Sequence, residues 1–405
     1  MKRQFTKAPP SSKLRPVKSK SPSDPSAPFP VYQNLVDTMV RGDEDIVRHV
    51  CAVLAAWAYS DIDTLSEIMA RMGLEDNVCR SIVVHNNAML VSSTSYLVQS
   101  ACGRVVLLAY RGTDPFDVAT WAADADVNPA LVPVPPGAGL QPSVHGGFYR
   151  NQRATWFDVA EGLQGAASKK SILVGLDHAD PPVTVGPGDL LKDELASPKA
   201  ARNDLEAIYV TGHSLGAAMA IIAAYKLGTE AEYAPIVGTG RLKGVHCFAP
   251  PMVGNADFAK QWLAAPALRG KLSTYVYEND LVPHLPPVPG FVHFGRTFVS
   301  KKPDPGADPS QYEWAESTEV VKQAALSAIG ETALGLVGDL TTVHVVDRLL
   351  DVAAFLGTAR EPLRKFADSF RARRYSLYDH APTNYVACSQ PTSKGITRTE
   401  FGNDF

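Results

Sequence analysis

Short apolar runs recur along the chain and predict strands that are buried on both faces of a sheet. They occupy residues 105–110, 207–211, 244–249 and 272–277, and each is followed by polar residues or by a loop of Gly, Pro or Asn. Residues 217–227 are dominated by Ala, Ile and Met and favour a helix. Strands that alternate with helices predict a three-layer α/β fold with a mostly parallel central sheet flanked by helices.

The region before residue 110 adds helical and β segments. Apolar residues recur at helical spacing over residues 44–72, and Gly73 supplies a stop, so one packing helix is expected there. Residues 81–110 are interpreted as successive β segments with a hairpin around Cys102-Gly103. A further helix is expected around residues 151–164.

Two segments differ in composition from the predicted α/β fold. Residues 1–28 carry seven basic side chains and a single acid, Asp24, so we expect a disordered basic tail. Its charge would favour peripheral contact with an anionic lipid surface, and a solvated tail without a partner is the alternative. The helix-favouring region at about 300–375 is interpreted as an inserted subdomain, either a fixed cap or a mobile lid, within one domain at 29–405.

Composition and charge exclude several classes of protein. The apolar fraction is 45% and the charged fraction is 20%, which is typical of globular proteins. The formal net charge is −3, so the chain lacks the excess of basic residues that is typical of a nucleic-acid-binding protein. Five scattered cysteines without a Cys-x-x-Cys pair support neither a disulfide framework nor a zinc site. The N-terminus lacks the apolar core of a secretion signal and no transmembrane helix is evident, so a cytoplasmic location is expected.

The sequence GHSLG at residues 212–216 joins the predicted strand at 207–211 to the predicted helix at 217–227. Gly-x-Ser-x-Gly between a strand and a helix is typical of a nucleophile elbow, a strained turn that exposes the serine hydroxyl. The alternative is a Gly-rich turn that lets a helix pack close to a sheet. The placement favours the first interpretation and predicts Ser214 as a nucleophile.

A serine nucleophile needs a histidine base and an orienting carboxylate, which follow it in this fold in the order acid, then histidine. Asp280 lies just beyond the predicted strand at 272–277, where open α/β sheets place functional groups. Position alone leaves the base open among the histidines that follow Ser214. His380, after the predicted insertion, is preferred, whereas His284 is interpreted as a structural or rim residue. The others are His246, His293 and His344.

An oxyanion formed at Ser214 would need hydrogen-bond donors. The backbone N–H of Leu215, the residue after the nucleophile, is the first expected donor. Thr113, at the end of the predicted strand at 105–110, is the second, and its hydroxyl could add a side-chain donor. A helix N-cap is the alternative interpretation of Thr113.

Five ordered segments together resemble the class 3 lipase family, a fungal-lipase-like branch of the α/β hydrolases. The resemblance implies an α/β-hydrolase fold, an oxyanion-hole role for Thr113 and the triad aspartate at Asp280. His380, followed by Tyr385, fits the family's C-terminal histidine and tyrosine more loosely. The segments are YRGT at 110–113 with Trp121 and Asp124, VHGGF at 144–148, VTGHSLG at 210–216, FAPPMVGNADF at 248–258 and NDLVPHLPP at 279–287.

These features predict a serine carboxylic ester hydrolase, a lipase that acts on acylglycerols or related lipid esters through an acyl-enzyme. Ser214 attacks, His380 is the base and Asp280 orients it, with no metal or organic cofactor. The alternatives are a phospholipase or acyltransferase with the same triad, and a catalytically silent lipase-fold protein that binds a partner. The family usually carries a short lid after the oxyanion segment, whereas this chain has its long insertion just before His380.

Overall fold

The computed structural model describes residues 1–8, 31–86, 88, 91–112, 129–133, 139–174, 184–185, 203–238, 240–285, 290–301, 313–317 and 379–391. Its strands are β1 (Lys2–Lys7), β2 (Val78–Asn86), β3 (Val91–Gln99), β4 (Val105–Tyr110), β5 (Pro129–Leu131), β6 (Ser143–His145), β7 (Thr184–Val185), β8 (Ala207–His213), β9 (Leu242–Phe248), β10 (Gly254–Asn255), β11 (Leu272–Val276), β12 (Phe291–Val292), β13 (Arg296–Lys301) and β14 (Glu313–Ser317).

The α-helices of the described residues lie between these strands and after them. They are α1 (Leu35–Arg41), α2 (Glu44–Trp57), α3 (Ile62–Met72), α4 (Gly146–Ala167), α5 (Leu215–Thr229), α6 (Ala234–Val237), α7 (Ala256–Ala264) and α8 (Pro382–Ser389). Within the described part of the chain, none is both long and apolar enough to cross a bilayer.

The centre of the main sheet is parallel, as predicted. Ten strands pair in the order β14-β13-β11-β9-β8-β4-β3-β2-β1-β7, and β4, β8, β9, β11 and β13 run parallel to one another. The four strands predicted from apolar runs are therefore neighbours in this block. Parallel strands end at the same edge of a sheet, so the loops after β4, β8 and β11 gather at one place.

Helices cover both faces of the sheet because side chains alternate along each strand. In β4, Val106, Leu108 and Tyr110 join the core that contains α4 and α5, whereas Val105 and Leu107 join the core that contains α2 and α3. The C-terminal helix α8 contributes Tyr385, Val386 and Cys388 to this second core. The predicted three-layer arrangement is thus confirmed, and α8 packs on the face opposite α5.

The predicted helix over residues 44–72 is wrong in one respect, because the structure divides it into α2 and α3. Ser60 donates through its N–H and its hydroxyl to the carbonyl of Trp57, which ends the first helix. The Asp61 side chain accepts from the N–H of Thr64 at 2.8 Å and caps the second. The apolar stripe continues across the break, so periodicity did not reveal it. The break carries Tyr59.

The prediction of a disordered tail is wrong for residues 2–7, which form β1 and pair antiparallel with β2. Phe5 is buried in the core, and Arg3 Nε contacts Asp158 Oδ1 at 2.5 Å. One buried aromatic ring, a backbone ladder and an ion pair hold a segment whose composition alone favours disorder. Residues 9–28 of the predicted tail lie outside the described residues.

The prediction of a helical insertion at about 300–375 is also wrong near its start. Residues 313–317 form β14, which pairs antiparallel with β13 at the edge of the main sheet. Trp314 lies on the second core and its indole N–H donates to Ser389 Oγ at 3.0 Å. The sheet therefore extends past residue 301. The rest of the predicted insertion, residues 302–312 and 318–375, lies outside the described residues.

Candidate active site

Ser214 lies at the sharp turn between β8 and α5. Its φ of 60° and ψ of −132° fall in a region that a residue with a side chain rarely adopts, and its N–H donates to the carbonyl of Phe248 at 3.0 Å. Leu215 begins α5, so its N–H belongs to the first turn, where no intrahelical acceptor exists. The predicted nucleophile elbow therefore has the expected strained geometry.

The two glycines of the motif permit a contact that no other residue would allow. A Cβ on Gly212 would lie 2.4 Å from the backbone of Gly216, and a Cβ on Gly216 would lie 2.2 Å from the carbonyl oxygen of Tyr110. These neighbours are backbone atoms, which cannot rotate away. Close packing of α5 against the ends of β4 and β8 thus explains both glycines.

Asp280 and His380 form a fully buried pair. Both have 0% exposure, and His380 Nδ1 donates to Asp280 Oδ2 at 2.8 Å and to Oδ1 at 3.1 Å. The Val282 N–H and the Tyr385 hydroxyl donate to the same carboxylate at 2.9 and 2.5 Å. A neutral imidazole that donates through Nδ1 presents Nε2 as an acceptor, which is the tautomer that a general base requires.

The imidazole of His380 lies beside the elbow. Its ring packs against the ring of His213, the residue before Ser214, with centroids 4.5 Å apart and planes at 37°. Ser214 Oγ and His380 Nε2 are both buried, and neither has a hydrogen-bond partner among the described residues. The structure thus pairs His380 with Asp280 and places the His380 ring against His213, the neighbour of Ser214, and no hydrogen bond joins Ser214 Oγ to His380 Nε2.

The second predicted oxyanion donor cannot be placed in the same way, because Thr113 lies outside the described residues. Gly112, the residue before it, is in close contact with the elbow. A Cβ on Gly112 would lie 2.5 Å from the carbonyl oxygen of His213 and 2.2 Å from the hydroxyl oxygen of Tyr59. Gly112 therefore packs against the residue that precedes Ser214. The oxyanion roles of Thr113 and Leu215 stay predictions.

The other described histidines after Ser214 engage ring nitrogens elsewhere. His246 Nδ1 lies 3.1 Å from the Tyr275 hydroxyl, and His293 Nε2 donates to the carbonyl of Pro283 at 2.6 Å. Burial lowers the pKa of His246 to about 3 and that of His293 to about 4. His284 is buried in a short 3₁₀ turn, Val282–His284. His344 lies outside the described residues.

Two other predicted motifs, at 144–148 and 248–258, contribute to a second, small sheet, and the second of them also supplies the Phe248 carbonyl that accepts the N–H of Ser214. Strands β5, β6, β10 and β12 form this sheet, and Val144 pairs with Gly254. His145 stacks on Phe148 with ring centroids 4.2 Å apart. Asn255 caps α7 by accepting from the N–H of Phe258, and it also accepts from the N–H of Ser143. These segments therefore serve packing and strand pairing.

Sequence reasoning missed two contacts of the site. The Tyr59 hydroxyl lies 2.9 Å from His213 Nδ1, and His213 itself packs on His380. His213 occupies the first unspecified position of Gly-x-Ser-x-Gly, and Tyr59 lies within the helix that was predicted to be continuous. Nothing in the sequence therefore marked either residue as part of the site. Within the described residues, no cluster of three or more His, Cys, Asp or Glu side chains is arranged to hold a metal ion.

Comparison with known proteins gives matches to lipases. Triacylglycerol lipase OBL1 of Arabidopsis thaliana is 32% identical over 197 residues, which cover 45% of this chain and 34% of that protein. Phospholipase A1-II 1 of Oryza sativa subsp. indica is 31% identical over 189 residues, which cover 45% of this chain and 40% of that protein. The chain thus spans well under half of the length of these relatives.

Among solved structures, the Rhizomucor miehei lipase propeptide complex matches with a TM-score of 0.43 and 18% identity, covering 70% of this chain and 74% of that one. The family described as Lipase (class 3) matches residues 107–290, which include Ser214 and Asp280 and end before His380. The resemblance predicted from the motifs is therefore confirmed over residues 107–290, which match the class 3 lipase family.

Proposed function

We propose that the protein is a serine carboxylic ester hydrolase that cleaves lipid esters through an acyl-enzyme. The observation that carries the proposal is that the two atoms which would exchange a proton have no other hydrogen-bond partner in the described part of the chain. Ser214 Oγ and His380 Nε2 lie free of other partners among the described residues, while Asp280 holds the opposite nitrogen of the same imidazole at 2.8 Å. A strained serine beside an oriented imidazole is the arrangement that acyl transfer requires.

The proposed reaction has two halves. Ser214 Oγ attacks the ester carbonyl while His380 Nε2 takes its proton, and Asp280 stabilises the imidazolium that results. The tetrahedral oxyanion accepts from the N–H of Leu215 and from Thr113. His380 then gives the proton to the departing alcohol, and water repeats the steps on the acyl-enzyme to release the acid.

Access to the site is part of the proposal. Ser214 is 1% exposed and His380 is 0% exposed, so an ester reaches them only when part of the protein moves aside. Movable covers of this kind exclude water from the reaction and often limit turnover. The predicted insertion before His380 is the proposed cover, either as a cap that shifts or as a lid that opens at a lipid surface.

A phospholipid ester is the second candidate substrate, because one relative is named a phospholipase A1. Peripheral contact with an anionic lipid surface through the basic residues of positions 9–28 belongs to the same proposal. All five cysteines are unpaired, which supports a reducing compartment such as the cytoplasm.

The test is hydrolysis of p-nitrophenyl esters from C2 to C16, followed by a triacylglycerol emulsion and phosphatidylcholine vesicles. We expect activity in the wild type and its loss in Ser214→Ala. Ser81→Ala is the matched control, because Ser81 is also buried with an unpartnered hydroxyl and lies on β2. Full activity in Ser214→Ala would reject the proposal. A faster rate on phosphatidylcholine than on triacylglycerol would favour the second substrate.

A further inference from the structure

A second imidazole lies within the site, and the proposed reaction does not use it. His213 is 1% exposed, and its ring faces that of His380 with centroids 4.5 Å apart. The ring of Tyr385 meets it edge-on at 5.5 Å. His213 therefore fills the space between the elbow and the C-terminal segment that carries both His380 and Tyr385.

Tyr59 holds this imidazole from the other side. Its hydroxyl lies 2.9 Å from His213 Nδ1 and its ring meets the His213 ring at 5.9 Å. The same hydroxyl occupies the space above Gly112, and the guanidinium of Arg111 lies 5.8 Å from the Tyr59 ring. The break between α2 and α3 thus supplies a side chain that joins the elbow to the segment leading into Thr113.

Asp280 alone does not fix the whole orientation of His380. Hydrogen bonds at Nδ1 determine the direction of that one edge of the ring, and the ring remains able to turn about the line of those bonds. A flat neighbour against the ring face removes that freedom. His213 is such a neighbour, and Tyr59 fixes His213 in turn.

We propose that His213 is a positioning residue: held by the Tyr59 hydroxyl, it sets the ring plane of His380 so that Nε2 faces Ser214 when substrate binds. The inference rests on the proposed function, since it assigns a role in the same reaction. Small errors in the placement of a general base carry large rate penalties, because proton transfer depends on distance and angle.

The imidazole of His213 also has to stay neutral for this role. Burial lowers the pKa of His213 well below its ordinary value, and the neighbouring His380 lowers it further. The groups that face it are His380 and Tyr385 from the C-terminal segment and Tyr59 from the α2–α3 break, with Arg111 over the Tyr59 ring and Asp280 beyond His380. A neutral His213 does not oppose the imidazolium that forms on His380.

The experiment compares His213→Ala, His213→Phe and Tyr59→Phe on a soluble short-chain p-nitrophenyl ester. We expect His213→Ala to lower kcat by roughly tenfold or more while KM changes less than about twofold. His213→Phe restores a flat ring and should recover part of the loss. Thermal unfolding identifies any variant that fails to fold, and Tyr59→Phe, which removes only a hydroxyl, keeps the test valid in that case.

His246→Phe is the matched control, because His246 is another buried histidine with a tyrosine hydroxyl at its Nδ1 and lies on the neighbouring strand β9. It should leave kcat near the wild-type value. A double-mutant cycle tests the link between the two positions: Tyr59→Phe should lower kcat by about threefold in the wild type and have no further effect in His213→Phe.

A wild-type kcat in folded His213→Ala, or additive effects of Tyr59→Phe and His213→Phe, would overturn the inference. So would a loss confined to KM, because a positioning role acts on the chemical step. These outcomes differ from failure of the proposed function, in which the wild type itself shows no hydrolysis that depends on Ser214. Hydrolysis that disappears in Ser214→Ala but is unchanged in His213→Ala would leave the esterase proposal intact.

Discussion

The hydroxyl of Tyr385 donates to Asp280 Oδ2 at 2.5 Å, and the Tyr385 hydroxyl oxygen accepts a hydrogen bond from the N–H of Tyr277 at 3.1 Å. Tyr385 lies on α8 and is fully buried, five positions after His380. One short segment therefore holds the carboxylate through an imidazole and a phenol. Tyr277 and Asp280 lie just beyond β11, so the bonds also attach the C-terminal segment to the sheet.

Removal of this phenol should weaken catalysis. Burial raises the pKa of Tyr385 well above its ordinary value, and the Asp280 charge adds to the effect, so the hydroxyl stays a donor at any working pH. We expect Tyr385→Phe to lower kcat by about tenfold, since the carboxylate loses one of its donors and some of its order. Ester kinetics measure the change. Tyr225→Phe, which loses a hydrogen bond to Gln261 elsewhere, should keep its kcat.

Gly216→Ala should cost more than the same change elsewhere in α5. A Cβ at Gly216 meets the backbone oxygen of Tyr110 at 2.2 Å, whereas a Cβ at Gly228 meets the side chain of Leu268 at 2.4 Å, which can move. We expect Gly216→Ala to abolish activity or folding and Gly228→Ala to cost about 1–3 kcal/mol at most. Thermal unfolding and ester hydrolysis measure both. Equal effects would show that the contact with β4 is not tight.

Asp158→Ala should destabilise the protein strongly through a buried charge. Arg80 has 0% exposure and its guanidinium contacts Asp158 Oδ1 at 3.0 Å and Glu161 Oε2 at 3.1 Å. Loss of Asp158 leaves the guanidinium with less compensation and also frees Arg3 on β1, so we expect a loss of about 3 kcal/mol in the free energy of unfolding.

Urea denaturation measures this loss, and hydrogen exchange over residues 2–7 reports release of β1. Asp204→Ala is the control, because its ion pair with Lys169 is largely exposed. Such surface pairs contribute little, so its unfolding curve should match the wild type. Unchanged protection of residues 2–7 in Asp158→Ala would contradict the role given to the ion pair with Arg3.

Stability should fall in mild acid because of buried neutral histidines. Burial lowers the pKa of His49 from 6.5 to about 3, and Arg48 adds to the effect, while His49 Nδ1 lies 2.7 Å from the Tyr32 hydroxyl. Between these pKa values the unfolded state binds the additional proton. His49 therefore costs the folded state no stability above about pH 6.5, and the free energy of unfolding falls as the pH drops from there towards 3.

At pH 5 the penalty from His49 is about 2 kcal/mol relative to pH 7.5. We expect His49→Gln to reduce the difference in unfolding free energy between these two pH values by about that amount, measured by urea denaturation. The exposed His85 is the control position, and His85→Gln should leave the difference unchanged. An unchanged difference in His49→Gln would show that this histidine is not held neutral.

The sequence predicted the parts of the site that local pattern encodes. Ser214 follows from glycine spacing between a strand and a helix, and Asp280 follows from its place after a buried strand, because both signals lie within a few residues. The prediction of His380 also depended on the family resemblance, since five histidines follow Ser214 and only tertiary contacts distinguish the base from the others.

The errors arose where long-range contacts outweigh local composition. Residues 2–7 form a strand because Phe5 enters the core and Arg3 meets Asp158, a partner 155 positions away. The break at Tyr59 is the exception, because its cause is local: the Asp61 side chain caps α3 although the apolar stripe continues across the break. β14 pairs with β13 at the sheet edge, and its Trp314 donates to Ser389 of α8, a contact that no local pattern contains.

The most direct measurement of the central claim is peptide mapping by mass spectrometry after reaction with a fluorophosphonate. We expect one adduct per chain, on Ser214, formed rapidly in the wild type and at least about a hundredfold more slowly in His380→Ala. An adduct on another serine, or an equal rate in folded His380→Ala, would contradict the account.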